Sequence, residues 1–311
     1  MSKLNYGCQG LVAVISGGSS GIGLAAAAKL ASDGARVYIL GRSLARGEAA
    51  VRQLFEKTGQ QVVFVACDIT SAGSCKAALA KISEHEKSLL QKQQAHIDIL
   101  INSAGVYEEQ RLENMSEADY DAIMDTNVKG TLLLTQACLP LMYEGGSIVN
   151  IASDAGVNGN YGCPVYCASK GAVVALTRAL ALDLAPAIRV NCVCPADVDT
   201  PLLARQLVDA NGGYTLADMA AAYPLGRIGR AEEIAHVICS VVSPANSFMT
   251  GSIITVDGGI TAGCKLRLQF CSALHEFDAC CSHFLHGSSD GIWCDAAAGS
   301  LVKDNIKASG F

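Results

Sequence analysis

Ser153, Tyr166 and Lys170 lie in one short stretch, S-D-A-G-V-N-G-N-Y-G-C-P-V-Y-C-A-S-K, at spacings that chemistry can use. A Tyr phenol ionises near pH 10 and is a poor base at neutral pH, but an ammonium one helical turn away favours its phenolate. Lowering the pKa by roughly three units takes about 4 kcal/mol of differential stabilisation. Lys170 and a cationic cofactor ring together could supply it. Tyr166 could then move a proton to or from a substrate oxygen, and Ser153 could donate a hydrogen bond to that oxygen. Tyr and Lys at i and i+4 also describe an ordinary surface helix, so the rest of the chain has to decide.

The elements that must position these groups can be read around them. Pro164 suits the first turn of a helix. From Tyr166 to Leu176 the composition is helical, which puts Tyr166 and Lys170 on one face, one turn apart. Ser153 ends the apolar run Ser147–Ser153, which reads as a buried strand. A strand end and a helix start can therefore bring hydroxyl and phenol to the same point.

Upstream, the apolar strand Leu11–Ser16 runs into Gly17-Gly-Ser-Ser-Gly21-Ile-Gly23 and an Ala-rich helix, Leu24 to Ser32. Strand, glycine loop and helix aim backbone N–H groups and a helix N-terminus at a phosphate. Further strands at Arg36–Leu40, Gln61–Ala66, Ile97–Ile101, Ile188–Val193 and Gly251–Val256 alternate with helical patterns. Among these helices are Ala72 to about Gln93, a long one from Glu117 to Met142 carrying Asn127, and Ala231 to Val242. Gly145-Gly146 is expected to stop the long helix, polar Glu84 to Gln94 to be a solvated helix end or loop, and 202–230 to form a lid. The alternation predicts an α/β fold: a single Rossmann-like, doubly wound parallel sheet with helices on both faces.

Half of the 311 residues are hydrophobic and the mean hydropathy is +0.31, enough for one large domain. A net charge of −6 argues against a nucleic-acid partner. The apolar run Leu11–Ile15 lacks a signal-peptide layout, and Arg178 and Asp183 interrupt 171–185, so no membrane span is expected. Most of the fourteen cysteines, such as Cys67, Cys138, Cys192 and Cys194, sit in apolar patterns and read as buried hydrophobes of a reducing, cytoplasmic compartment.

From about Gly10 to Ala262 the chain resembles the short-chain dehydrogenase/reductase family. The motifs that carry the resemblance are Ser16-Gly17-x-x-x-Gly21-Ile22-Gly23, Asp68-Ile69, Asn102-Ser-Ala-Gly105, Asn127, Ser153, Tyr166-x-x-x-Lys170 and Pro195-x-x-Val198-x-Thr200-Pro201, in the family's order and spacing. The resemblance implies that Asn127, Ser153, Tyr166 and Lys170 form the catalytic set, with Tyr166 as acid/base and Ser153 on the substrate oxygen. Lys170 would bind the nicotinamide ribose and lower the Tyr166 pKa; Asn127 would bend its helix and hold a water linking Lys170 to solvent. Ser16, Gly17, Ser19, Ser20, Gly21, Ile22 and Gly23 would cradle the cofactor, Asp68 and Ile69 flank its adenine, and Asn102, Ala104 and Gly105 line a ribose. Val198 and Thr200 would contact the carboxamide. Ser16 stands where the family more often has Thr, Ser103 where it has a second Asn, and Ala196 where it has Gly; none removes a catalytic group. The implied activity is hydride transfer between a nicotinamide and a small alcohol or ketone by a homo-oligomer, a tetramer or dimer. The rival class is a silent dinucleotide-binding sensor or scaffold.

NAD-preferring members of this fold place a carboxylate at the end of the second strand. Gly41 stands there, followed by Arg42, which could pair with a 2′-phosphate. NADP(H) is therefore the expected preference, with NAD(H) possible; the glycine loop itself offers Ser19 and Ser20 rather than a second basic residue. The extension 263–311 is Cys-rich and includes Cys280-Cys-Ser-His283-Phe-Leu-His286, but lacks paired C-x-x-C spacing, so no metal site is expected.

Overall fold

The computed structural model describes residues 5–91, 94–209 and 213–263. In chain order the first elements are β1 (Val12–Ser16), α1 (Gly21–Ser32), β2 (Arg36–Gly41), α2 (Leu44–Thr58), β3 (Val62–Ala66), α3 (Ala72–Leu90) and β4 (Ile97–Asn102). Then come α4 (Glu117–Met124), α5 (Gly130–Cys138), β5 (Met142–Ile151), α6 (Pro164–Leu184), β6 (Ile188–Pro195), β7 (Val198–Asp199), α7 (Pro201–Asp209), α8 (Leu216–Ala222), β8 (Gly229–Arg230), α9 (Ala231–Val242) and β9 (Ile253–Val256). Seven strands form one parallel sheet in the order β3-β2-β1-β4-β5-β6-β9.

The apolar runs are continuous because the sheet is covered on both faces. Alternate residues of a strand go to opposite sides. Ala13, Ile15, Val37 and Ile39 pack with α1, α2 and α9, while Val12, Val14, Tyr38 and Leu40 pack with α3 and α5. The strand order reverses between β1 and β4, and a crevice opens outside their carboxyl ends at such a point. Gly17 and Ser103 therefore face each other across it.

Three expectations need correction. The helix read as Glu117 to Met142 is interrupted: a π-turn, Asp125–Lys129, separates α4 from α5, and a 3-10 turn with Pro140 ends the rod at Leu141. Gly145 and Gly146 do not stop it; they lie inside β5. The polar end of α3 is not all solvated. Glu86 is 1% exposed, accepting from the Arg36 guanidinium at 3.0 Å and the Tyr38 hydroxyl at 2.7 Å. The apolar helix α6 passes a length-and-composition test for a membrane span, as a core helix also does. It packs against β6 and carries Tyr166 and Lys170.

Candidate active site

A cavity of about 690 Å³ opens at the carboxyl ends of β1 and β4 and extends under α7 and α8. Its floor begins at the glycine loop. Gly17 has φ +66°, and a Cβ there would sit 2.8 Å from the Ala104 backbone, so only glycine lets the two strand ends meet. A Cβ at Gly23 would lie 2.6 Å from the Gly17 carbonyl oxygen, so the opening of α1 also depends on glycine. Behind this loop, buried Ser16 Oγ accepts hydrogen bonds from Ser103 N at 3.1 Å and Ala104 N at 3.2 Å. Ser20 is the N-cap of α1 but makes no capping hydrogen bond, and the first turn holds no acidic residue. The first N–H groups of α1 are left for an anion.

Ser153, Tyr166 and Lys170 meet on the far wall, each under a tenth exposed. Pro164 opens α6 at N1, as its missing N–H allows, and starts Tyr166 and Lys170 up one face. Ser153 follows β5 and caps a 3-10 turn. Its Oγ donates to Asp154 Oδ1 at 2.7 Å and accepts from Ala155 N at 3.2 Å. Lys170 Nζ donates to the Ile151 carbonyl at 3.0 Å and lies 5.7 Å from the Tyr166 ring centroid. Tyr107 packs edge-on against the Tyr166 ring, with centroids 4.8 Å apart.

Burial pushes the Tyr166 phenol above its usual range, and the Asp154 carboxylate adds to this; the Ser153 hydroxyl acts in the opposite sense. The Lys170 ammonium is aimed at the Ile151 carbonyl. Burial pushes Lys170 itself down to about 8.

Ser19, Ser20, Gly21, Ile22, Arg42, Asp68, Ile69, Ala104, Gly105, Val198 and Thr200 also line the cavity. Ser16, Gly23, Asn102 and Asn127 stand behind it. Asn102 Nδ2 donates to Thr135 Oγ1 at 3.0 Å and Asn150 Oδ1 at 2.9 Å, tying β4 to α5 and β5. Asn127, in the π-turn, accepts from Val106 N at 2.9 Å and donates to Val106 O and Ser169 Oγ, both at 3.0 Å. It fixes the loop after Gly105, and a Cβ on Gly105 would lie 3.2 Å from Asn127 Oδ1 and 3.4 Å from Lys170 Nζ. Arg42 lines the opposite end, exposed and without a partner among the described residues. Arg46, which the sequence reading passed over, lines the same end.

These features fit a dinucleotide: glycines where a Cβ would collide, an uncapped helix start, and unpaired arginines at one end. The family profile described as enoyl-(acyl carrier protein) reductase matches residues 17–261. The chain belongs to the short-chain dehydrogenase/reductase family. It is an NAD(P)-dependent oxidoreductase of that family. An uncharacterised oxidoreductase of Thermotoga maritima is 38% identical over 258 residues, which is 82% of this chain and 98% of the relative. A 3-oxoacyl-(acyl-carrier-protein) reductase from the same organism is 34% identical, over 81% of this chain and 98% of that one. A variant of actinorhodin polyketide ketoreductase, solved with NADPH, superimposes with TM-score 0.74 at 29% identity, covering 81% of this chain and 97% of the ketoreductase. What this short-chain dehydrogenase/reductase adds to the sequence reading is a second set of wall residues. Asp154, Asp197, Glu109, Tyr214 and Tyr223 face the cavity near the lid. Tyr223 donates to Asp197 Oδ2 and Tyr214 to Glu109 Oε2, both at 2.7 Å. No spacing signalled Glu109, Tyr214 or Tyr223; only Asp154, beside Ser153, and Asp197, inside the Pro195–Pro201 motif, were within reach of the motifs.

Proposed function

We propose that this chain interconverts a small alcohol and its ketone or aldehyde with NADP(H) as the preferred coenzyme and NAD(H) as a possible one. The observation that carries the reading is the meeting of Ser153, Tyr166 and Lys170 on the cavity wall opposite the glycine loop. A bound nicotinamide coenzyme supplies or takes the hydride at the carbon. Tyr166 does the proton work. Its raised pKa keeps the phenol protonated at neutral pH, which suits a proton donor to the carbonyl oxygen during reduction. In oxidation the same oxygen takes the proton back, and the charge of Lys170 would favour the phenolate. Asn127 holds the Gly105–Val106 backbone beside Lys170. Ser19, Ser20, Gly21, Ile22 and the first turn of α1 would hold the pyrophosphate, and Arg42 a 2′-phosphate. Asp68 and Ile69 would flank the adenine, and Val198 and Thr200 the nicotinamide. The relatives' names concern acyl-carrier-protein and polyketide substrates; sugar and cyclic alcohols fit the same chemistry. The same reading makes the protein a cytoplasmic homo-oligomer without nucleic-acid or membrane partners.

Tyr166→Phe tests it. The change keeps the ring and deletes the proton donor. Turnover of alcohol and ketone panels with both coenzymes should fall by at least about a thousandfold, in line with the upper range of general acid–base effects. Coenzyme affinity measured by calorimetry should stay within about threefold, since under 1 kcal/mol is at stake. Activity within tenfold of the parent would end the proposed mechanism.

A further inference from the structure

The Ser153 hydroxyl is committed in a particular direction. A serine hydroxyl has one proton and two lone pairs. Here the proton goes to Asp154 Oδ1 at 2.7 Å, and one lone pair takes the Ala155 N–H at 3.2 Å. Ser153 and Asp154 are both buried and both line the cavity. While it donates to Asp154, what Ser153 has left for the cavity is an acceptor; only by turning that proton to the Tyr166 phenol would it lower the phenol's pKa. Asp154 is held in turn: its Oδ2 accepts from Asn160 Nδ2 at 3.3 Å.

The two members of the proposed substrate pair meet this arrangement differently. With Tyr166 protonated, an alcohol completes an aligned run of hydrogen bonds. Tyr166 donates to the alcohol oxygen, the alcohol O–H to Ser153 Oγ, and Ser153 to the Asp154 carboxylate. A carbonyl oxygen also takes the Tyr166 proton. It has no proton for Ser153, so Ser153 must either face it lone pair to lone pair or abandon a charge-assisted bond to a carboxylate.

We infer that Asp154 is a positioning residue that fixes the direction of the Ser153 proton and so makes the site favour the alcohol over the carbonyl in binding. This rests on the alcohol/carbonyl reading above. Asp154→Asn should reverse the preference by a definite route. With Asn160 Nδ2 still donating to residue 154, the new amide keeps its oxygen there and turns its Nδ2 toward Ser153. Ser153 would then accept from residue 154 and send its proton into the cavity, where a carbonyl can use it.

The test uses the holoenzyme and complexes that cannot react. Titration calorimetry gives the dissociation constant of the alcohol on the NADPH complex and of the ketone on the NADP+ complex. The probes are cyclohexanol and cyclohexanone, or another pair that the parent enzyme converts. Asp154→Asn should weaken the alcohol and tighten the ketone, shifting the ratio of the two constants by roughly tenfold or more, which is 1.4 kcal/mol. Asp154→Ala, which frees the Ser153 proton without supplying a donor, should shift it the same way by less. Ser153→Ala should weaken the alcohol more than the ketone, and in that background Asp154→Asn should no longer move the ratio. A ratio that stays within twofold while both constants move together would mean a structural role and overturn the inference. So would an undiminished shift without Ser153. A parent enzyme that converts no pair overturns the alcohol/carbonyl reading and this inference together; a converting enzyme with an unmoved ratio overturns this inference alone.

Discussion

Arg42 stands at the end of β2 with its guanidinium unpaired among the described residues, and Arg46 lines the cavity beside it. Ser43 caps α2 by accepting from Arg46 N, so the two arginines flank the helix start one turn apart. Gly41 leaves room there: a Cβ on it would lie 3.5 Å from Ser19 Oγ. A hydrogen bond to a charged group contributes about 1.5–3 kcal/mol. Arg42→Ala should accordingly raise KM for NADPH by roughly tenfold or more. NADH, which has no 2′-phosphate, should change by less than about threefold. Steady-state kinetics with both coenzymes measures this; equal effects would reduce Arg42 to a surface residue. Arg42 was legible because it follows the strand end directly. Arg46 was not, because its approach depends on where α2 begins, and that is set by a cap. Tyr166 and Lys170 were legible for the opposite reason: once α6 exists, i and i+4 must share a face. The Asn102 amide bonds to Thr135 and Asn150 were not legible, because motif order does not say which way a side chain turns at a strand end.

At the scale of elements, the strands came through to within a residue or two where they were buried on both faces. Val12–Ile15 and Val37–Leu40, inside β1 and β2, are unbroken apolar runs. The misreadings lie where a polar residue has a buried partner. Asn127 spends its amide on the Val106 backbone, and the π-turn that places it has no periodicity of its own. Glu86 looks like a solvated helix residue until Arg36 and Tyr38 are brought over it from β2. That contact ties α3 to the sheet on the side away from the glycine loop. Removing one partner of a buried ion pair costs about 3–5 kcal/mol, and the partial exposure of Arg36 argues for the lower figure. Glu86→Ala should lower the melting temperature by roughly 6–12 °C by calorimetry, taking about 2–4 °C per kcal/mol for a chain of this size. Turnover at 25 °C should be unchanged. A large loss of kcat with normal stability would mean that β2 transmits the change to the coenzyme end.

For the whole molecule, the fold class was legible from alternation alone, but the outer surface was not. Tyr120 on α4, Leu132 on α5 and Leu182 on α6 are large apolar residues 46%, 45% and 81% exposed. The prediction is that these helices pack against further copies of the chain, and light scattering at working concentration should give a multiple of 32.2 kDa, four copies for a tetramer. A monomeric mass would contradict it. The Cys-rich extension, including the Cys280–His286 motif, lies outside the described residues. Every matched motif precedes it, so a chain ending at Ala262 should keep its coenzyme affinity, measured by calorimetry. Lastly, the segment between β7 and β8 contributes no strand to the seven-stranded sheet among its described residues. It leaves and returns through β7 and β8, whose two-residue ladder pairs Val198 with Gly229 and Asp199 with Arg230. The span between them is thus a cassette with fixed terminals. Its length can double for only about 0.6 kcal/mol of closure entropy, so insertions there leave the folding of the sheet nearly untouched.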